Sequence, residues 1–145
     1  MKLETILATK GTTVATIKPE ATIRELLAVL SEKRYGAMVV SEDGETIAGI
    51  VSERDIVRAL AVRGAALLDE RVSAIMTPHV QCAPTDAKVA DVMALMTEER
   101  FRHVPVLDED LAMVGIVSIG DIVKSRVGEL QGQRDALISY VTNGG

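Results

Sequence analysis

Apolar positions along this chain fall into two stretches with the same internal order, and each predicts the same run of elements. In the first, a short run over residues 14–17 reads as a strand that stops at Pro19, since proline cannot donate to a ladder. Ile23, Leu26, Leu27 and Leu30 then recur at i, i+3, i+4 and i+7, the one-sided stripe of an amphipathic helix. Thr22 and Glu25 have the form of a capping box at its start. Two more apolar runs, 37–40 and 46–51, flank Glu42-Asp43-Gly44 and predict a hairpin, and a helix is predicted to begin at Ser52.

The second stretch repeats this. A run over 80–82 stops at Pro84, and Val89, Val92, Met93 and Met96 form the helical stripe. Runs over 104–107 and 112–117 flank Asp108-Glu109-Asp110, and a helix is predicted to begin at Ser118. The order is β-α-β-β-α, twice. Residues 69–76 predict a short linking helix. Residues 126–141, with Leu130, Leu137, Ile138 and Val141 apolar, predict a helical tail ending at Asn143-Gly144-Gly145.

The repeat is visible in the residues themselves. Gly49-Ile50-Val51-Ser52-Glu53-Arg54-Asp55-Ile56-Val57 returns 66 residues later as Gly115-Ile116-Val117-Ser118-Ile119-Gly120-Asp121-Ile122-Val123. Arg34-Tyr35-Gly36-Ala37 returns at the same spacing as Arg100-Phe101-Arg102-His103. Thr16-Ile17-Lys18-Pro19 matches Gln81-Cys82-Ala83-Pro84 at 65, which predicts one extra residue after the second proline. The expected division is a first unit over 1–67 with its N-terminal segment, a second over 68–127 and a tail over 128–145. Each half is too short to bury a large core alone, so the two are expected to pack together.

Composition narrows the function. The net charge is −5, no window is strongly basic, and Tyr35, Phe101 and Tyr140 are the only aromatic residues. A nucleic-acid binder needs a positive footprint or stacking aromatics, so nucleic acid is not expected as a partner. No apolar run approaches the ~20 residues of a membrane span, and the start carries Glu4 where a signal peptide is apolar. The single cysteine, Cys82, excludes an intrachain disulfide and suits a reducing compartment; a cytoplasmic location is expected. Cys82 is read as core, Met93 and Met96 as core, and Glu98-Glu99-Arg100 as a solvated helix end. His79, His103 and Cys82 are too few and wrongly spaced for a zinc site. No nucleophile–base pair or Gly-rich phosphate loop supports catalysis, so no enzyme is expected.

The repeated Ser-x-x-Asp has two readings. It is the form of a helix capping box, in which Ser accepts from a first-turn amide and Asp reaches back. The same geometry serves a ligand: a carboxylate at a helix start accepts from ribose hydroxyls, and free amides there suit phosphate. Gly49 and Gly115 allow close backbone approach. The copies differ, with Arg54 where the second has Gly120, and Arg102 and His103 where the first has Gly36 and Ala37.

A duplicated β-α-β-β-α unit whose hairpin ends in Gly-apolar-apolar-Ser-x-x-Asp resembles the CBS domain family, in which a tandem pair is called a Bateman module. The resemblance covers about residues 8 to 127 and includes Arg102-His103-Val104-Pro105-Val106. It implies two α/β units packed with pseudo-twofold symmetry and two clefts between them. It further implies regulatory binding of an adenine nucleotide such as AMP, ADP, ATP, NAD or S-adenosylmethionine, without catalysis. Signal transduction through a change in conformation or homodimer geometry, read out by a separate effector protein, is also implied.

Family sites take the Asp from one unit and base-lining residues from the other. Carried over, one site combines Lys10, Thr12, Thr13 and Ala15 with Arg102, His103, Ser118, Gly120 and Asp121. The second combines Ala37, Ser52, Arg54 and Asp55 with His79 and Val80. The first is expected to be the better equipped for phosphate. A ligand-free dimerisation module is the alternative function.

Overall fold

The computed structural model describes residues 1–143; Gly144 and Gly145, the expected end of the tail, lie outside the described residues. Five helices and six strands follow in the order α1 (Leu3–Lys10), β1 (Thr16–Ile17), α2 (Ile23–Lys33), β2 (Ala37–Val40), β3 (Gly49–Ser52) and α3 (Glu53–Arg63). After 3₁₀ turns at Gly64–Asp69 and Val72–Ala74 come β4 (Ala83–Pro84), α4 (Val89–Glu99), β5 (His103–Leu107), β6 (Met113–Ser118) and α5 (Ile119–Thr142). The strands form two three-stranded sheets, β1-β2-β3 and β4-β5-β6. In each, the first pair is parallel and is bridged by a crossover helix, as parallel pairing requires. The second pair is an antiparallel hairpin, Ala37 opposite Ser52 in one sheet and His103 opposite Ser118 in the other.

The duplication is tighter in space than in sequence. Ile17 pairs with Val40 and Ala83 with Val106, so the spacing of 66 holds through the first strand of each unit. Pro84 therefore stands where Lys18 stands, not where Pro19 does, and there is no extra residue. Ala83 is buried like Ile17, and this apolar register outranks the proline identity. The strand expected at 80–82 is consequently displaced to Ala83–Pro84. Helices α2 and α4 both end on an arginine in the left-handed region, Arg34 (φ 57°) and Arg100 (φ 59°), again 66 apart.

Several local expectations change for identifiable reasons. Thr22 Oγ1 accepts from the Glu25 amide at 3.1 Å, which caps α2 from one side without the reciprocal bond. The run at 46–51 pairs only from Gly49, because Asp43 holds the preceding loop. Its carboxylate accepts from the Glu45 and Thr46 amides at 2.9 and 2.7 Å, and these bonds hold the carboxyl well below the usual carboxylate range. Leu27 is exposed and lies off the buried stripe of α2. The linking helix at 69–76 is replaced by the two 3₁₀ turns. The second unit's closing helix and the tail are one continuous helix, α5.

The N-terminal helix α1 was not expected, and it completes a core. Leu3 and Leu7 are buried among Val89, Val92, Val104 and Val117 of the second unit. Conversely, Leu67 and Val72, just ahead of the second repeat, are buried with Ile23, Leu26 and Val51 of the first. Each core is thus finished by a segment that precedes the other repeat. The glycines of the repeated phrase serve this packing. A Cβ on Gly49 would lie 2.8 Å from the Thr77 carbonyl oxygen, and one on Gly115 would lie 2.5 Å from Leu7 Cδ2. The close approach they allow is to the protein's own chain.

Because Leu3 is fully buried, Leu3→Ala is expected to lower the free energy of unfolding by about 2–5 kcal/mol in urea titrations. A loss below about 0.5 kcal/mol, the range of surface substitutions, would mean that α1 is not part of the second core.

Candidate functional site

Each hairpin delivers its last residue straight into a helix, and that junction is capped identically in both units. Ser52 N donates to Asp55 Oδ2 at 2.8 Å and Asp55 N donates to Ser52 Oγ at 3.3 Å. Ser118 N and Asp121 N make the same bonds at 2.8 and 3.1 Å. The next amides, of Glu53 and Ile119, donate to the carbonyls of Gly36 and Arg102 at 3.0 and 2.7 Å, which ties each helix start to the beginning of the neighbouring strand. The capping reading of Ser-x-x-Asp is therefore realised in both copies. It uses only one oxygen of Asp55, and Asp55 Oδ1 has no donor among the described residues.

Asp55 lines an open cavity of about 390 Å³ between the two units. All six residues of the second sequence-derived set line it: Ala37, Ser52, Arg54, Asp55, His79 and Val80. Arg102 and His103, which the sequence assigns to the first set, line it too. The strand β5 begins at the seam between the units, and His103 Nε2 lies 3.6 Å from where a Cβ on Gly36 would sit. The side chain thus faces the first unit's corner across the seam.

Sequence reasoning missed Arg58, Arg100 and Gln81, which also line the cavity. Arg58 follows Arg54 by four residues on α3, a helical spacing that could have found it. Arg100 is the left-handed cap of α4, is exposed, and borders the cavity. Gln81 was hidden by the one-residue misalignment at Pro84. Arg54, Arg58, Arg100 and Arg102 form no ion pair among the described residues. Four unpaired guanidiniums facing one cavity suit a multiply charged anion, which they can grip in bidentate fashion.

The first set is arranged differently. Lys10 Nζ donates to Asp121 Oδ2 at 2.6 Å and to the Ile116 carbonyl at 2.7 Å. Burial alone would raise the Asp121 pKa, but the Lys10 ammonium and the Ser118 amide outweigh it and hold the carboxyl below its ordinary value. Thr12 and Thr13 are exposed, Ala15 packs against the first unit's core, and Gly120 is exposed in the first turn of α5. Cys82 is half-buried, not core, and borders a separate open groove of about 500 Å³ with Ile47, Leu107 and Leu111. Burial pushes its thiol pKa up. Among the described residues no group of three or more His, Cys, Asp or Glu side chains could hold a metal ion.

Fold and site together define a tandem pair of capped strand-to-helix corners on duplicated α/β units, and comparison with known proteins names the class. The CBS domain family profile matches residues 9–62 and 72–128. The chain belongs to the CBS domain family, as a tandem pair. It is 36% identical over 128 residues to the mitochondrial CBS domain-containing protein CBSX3 of Arabidopsis thaliana, covering 85% of this chain and 61% of that one. The chain thus spans about three-fifths of that relative's length. A crystal structure of a CBS-domain containing protein from Agrobacterium tumefaciens superposes with a TM-score of 0.83 at 39% identity, covering 87% of this chain and 99% of the other. A CBS domain protein from Pyrobaculum aerophilum, complexed with AMP, superposes with a TM-score of 0.71 at 28% identity, covering 83% and 89%.

The burial of His103 has a measurable consequence. Desolvation holds its pKa below the ordinary 6.5; Lys10 and Arg102 add to the effect, and Asp121 and Asp55 oppose it. Unfolded chains take up a proton near pH 6.5 while the folded chain resists, so stability falls as pH drops from about 7 through the lowered folded value. In His103→Gln, the loss of unfolding free energy between about pH 7 and pH 5 is expected to be shallower than in the unsubstituted protein. Equal slopes in denaturant titrations would show that His103 is not the group responsible.

Proposed function

We propose that this chain is a non-enzymatic sensor module that binds an adenine nucleotide in the cavity at Asp55. The supporting observation is the convergence there of four unpaired arginines on a capped aspartate with a free oxygen. The arginines supply the phosphate end, and Asp55 Oδ1 supplies an acceptor for ribose hydroxyls. Ala37, Ile50 and Val80 supply apolar wall for a base. The volume falls within the about 300–1,000 Å³ of ligand pockets. The related Pyrobaculum protein is complexed with AMP, which supports an adenine nucleotide as the ligand class. This proposal places the better-equipped site at Asp55, whereas sequence reasoning favoured the Asp121 set, because Arg102 and His103 face the Asp55 cavity.

The guanidiniums sit on both units. Arg54 and Arg58 are on α3, while Arg100 and Arg102 flank the start of β5. A phosphate chain held by both pairs links the units, and any preference for one relative placement shifts the population toward it. The signal then passes to a second copy and to an effector protein. A second copy has a surface to meet: Val123, Val127, Leu130, Leu137 and Val141 are exposed on α5 at alternating short and long helical spacings. With Arg134 between Leu130 and Leu137, they follow the a/d pattern of a coiled-coil seam. The single thiol of Cys82 suits a cytoplasmic setting. No helix among the described residues is long and apolar enough to cross a membrane.

Isothermal calorimetry with AMP, ADP, ATP, NAD and S-adenosylmethionine tests the ligand. Arg54→Ala is expected to weaken binding of the phosphate-bearing ligands by about 10- to 100-fold, since a charged hydrogen bond contributes about 1.5–3 kcal/mol. Asp55→Asn, which retains a carbonyl oxygen for the cap, is expected to abolish discrimination between AMP and 2′-deoxy-AMP. Absence of binding and of thermal stabilisation by all five at millimolar concentration would favour the ligand-free dimerisation module.

The dimer has its own test. Sedimentation velocity is expected to show a dimer that Leu130→Lys with Leu137→Lys converts to a folded monomer. An unchanged sedimentation coefficient would remove α5 from the interface.

A further inference from the structure

The two capped corners differ in what satisfies the strand carbonyl beside them. In the first unit the Ile50 carbonyl accepts from the Thr77 backbone amide at 2.8 Å, so a peptide segment covers that edge. Ile116 lies 66 residues on, and no backbone bridge meets it among the described residues. The chain nearby is helix α1, which packs on β6 and ends at Lys10. The Ile116 carbonyl accepts instead from Lys10 Nζ at 2.7 Å. The same ammonium reaches Asp121 Oδ2 at 2.6 Å, whereas Asp55 has no cationic partner among the described residues.

Lys10 is held in this place from several directions. Leu3 and Leu7 anchor α1 in the second core. The amides of Leu3 and Glu4 donate to the carbonyls of Ala87 and Thr85, both at 2.9 Å. Gly11, at φ 103°, ends the helix directly after Lys10, and its amide donates to Leu7 O at 2.7 Å. The docked helix therefore delivers the ammonium to this corner, although the lysine side chain remains 38% exposed.

We infer that Lys10 is a built-in counterion that closes the Asp121 corner, so that each chain takes one nucleotide, at Asp55. The inference rests on the nucleotide reading of the Asp55 cavity. Asp121 Oδ1, like Asp55 Oδ1, has no donor among the described residues, but a ribose hydroxyl reaching it meets a carboxylate whose charge the Lys10 ammonium already balances through Oδ2. The adjoining helix turn offers little in return, because Gly120 stands where the open corner has Arg54. Lys10 thus sets the stoichiometry and decides which of two equivalent corners senses the ligand.

Calorimetric titration of AMP into the full chain reads this directly. The unsubstituted protein and Lys10→Arg, which keeps the cation, are expected to bind one equivalent. Lys10→Met keeps the aliphatic stem without the charge and is expected to bind two, the second more weakly. Two equivalents in the unsubstituted protein, or one in Lys10→Met, would overturn the inference while leaving the Asp55 site standing. No binding by the unsubstituted protein with one equivalent in Lys10→Met would overturn the Asp55 site and uphold the role of Lys10. No binding by either would overturn both.

Discussion

The reciprocal bond between a serine at the end of a hairpin and an aspartate three residues into the next helix is the interaction on which this structure turns. It satisfies one of the orphan amides of the first helical turn and the amide of the cap residue with a single side-chain pair. By doing so it fixes the angle at which α3 and α5 leave their sheets. The next amide then bonds to the start of the adjacent strand, so the cap, the hairpin and the strand entrance form one rigid corner. A cap needs only one carboxylate oxygen. The other has no donor among the described residues at either Asp55 or Asp121; the corners differ in that Lys10 joins the cap on Asp121 Oδ2.

Pseudo-symmetry would make the two corners equal if the segments completing the two cores were equal, and they are not. A docked α-helix finishes the second core, and two 3₁₀ turns followed by an extended bridge at Thr77 finish the first. The extended bridge covers the Ile50 edge with backbone. The helix leaves the Ile116 edge to a side chain, and that side chain is a lysine. The asymmetry of the two corners follows from a difference in secondary structure some distance from either aspartate.

The sequence carried most of the fold because its signals were duplicated. Both Ser-x-x-Asp corners, both hairpins and both crossover helices were legible from apolar spacing and the repeated phrase, and so was the membership of a tandem CBS pair. What was not legible has physical reasons. Helix α1 has only Leu3 and Leu7 as buried anchors, one turn apart, too few for a periodic pattern. Matching Pro19 to Pro84 favoured residue identity over the buried register of Ile17 and Ala83, and it hid Gln81. Glu98, Glu99 and Arg100 are exposed, as a solvated helix end should be, and that Arg100 also borders the cavity depends on the tertiary fold. The two clefts could be named from the family pattern. Which residues meet in each depends on the seam between the units, where Arg102 and His103 face the Asp55 cavity, and no local pattern encodes that.

In the nucleotide reading, charge distribution adds a selectivity that neither the fold nor the cap provides. The chain carries −5 overall, so its distant field repels anions. That repulsion is screened beyond about 8 Å at physiological ionic strength. At the cavity the four arginines outnumber the two carboxylates that line it, Glu53 and Asp55, and Asp55 already has one oxygen committed to its cap. An anion is therefore attracted only once it is within the cleft and only if its charges reach arginines on both units. A small monovalent anion satisfies one guanidinium and leaves the others repelling one another across the seam. A phosphate ester with an extended body can neutralise several and also fill the apolar wall. In the nucleotide reading, the like charges facing each other across the seam are what make occupancy matter to shape, because the ligand exchanges repulsion between the units for a link between them.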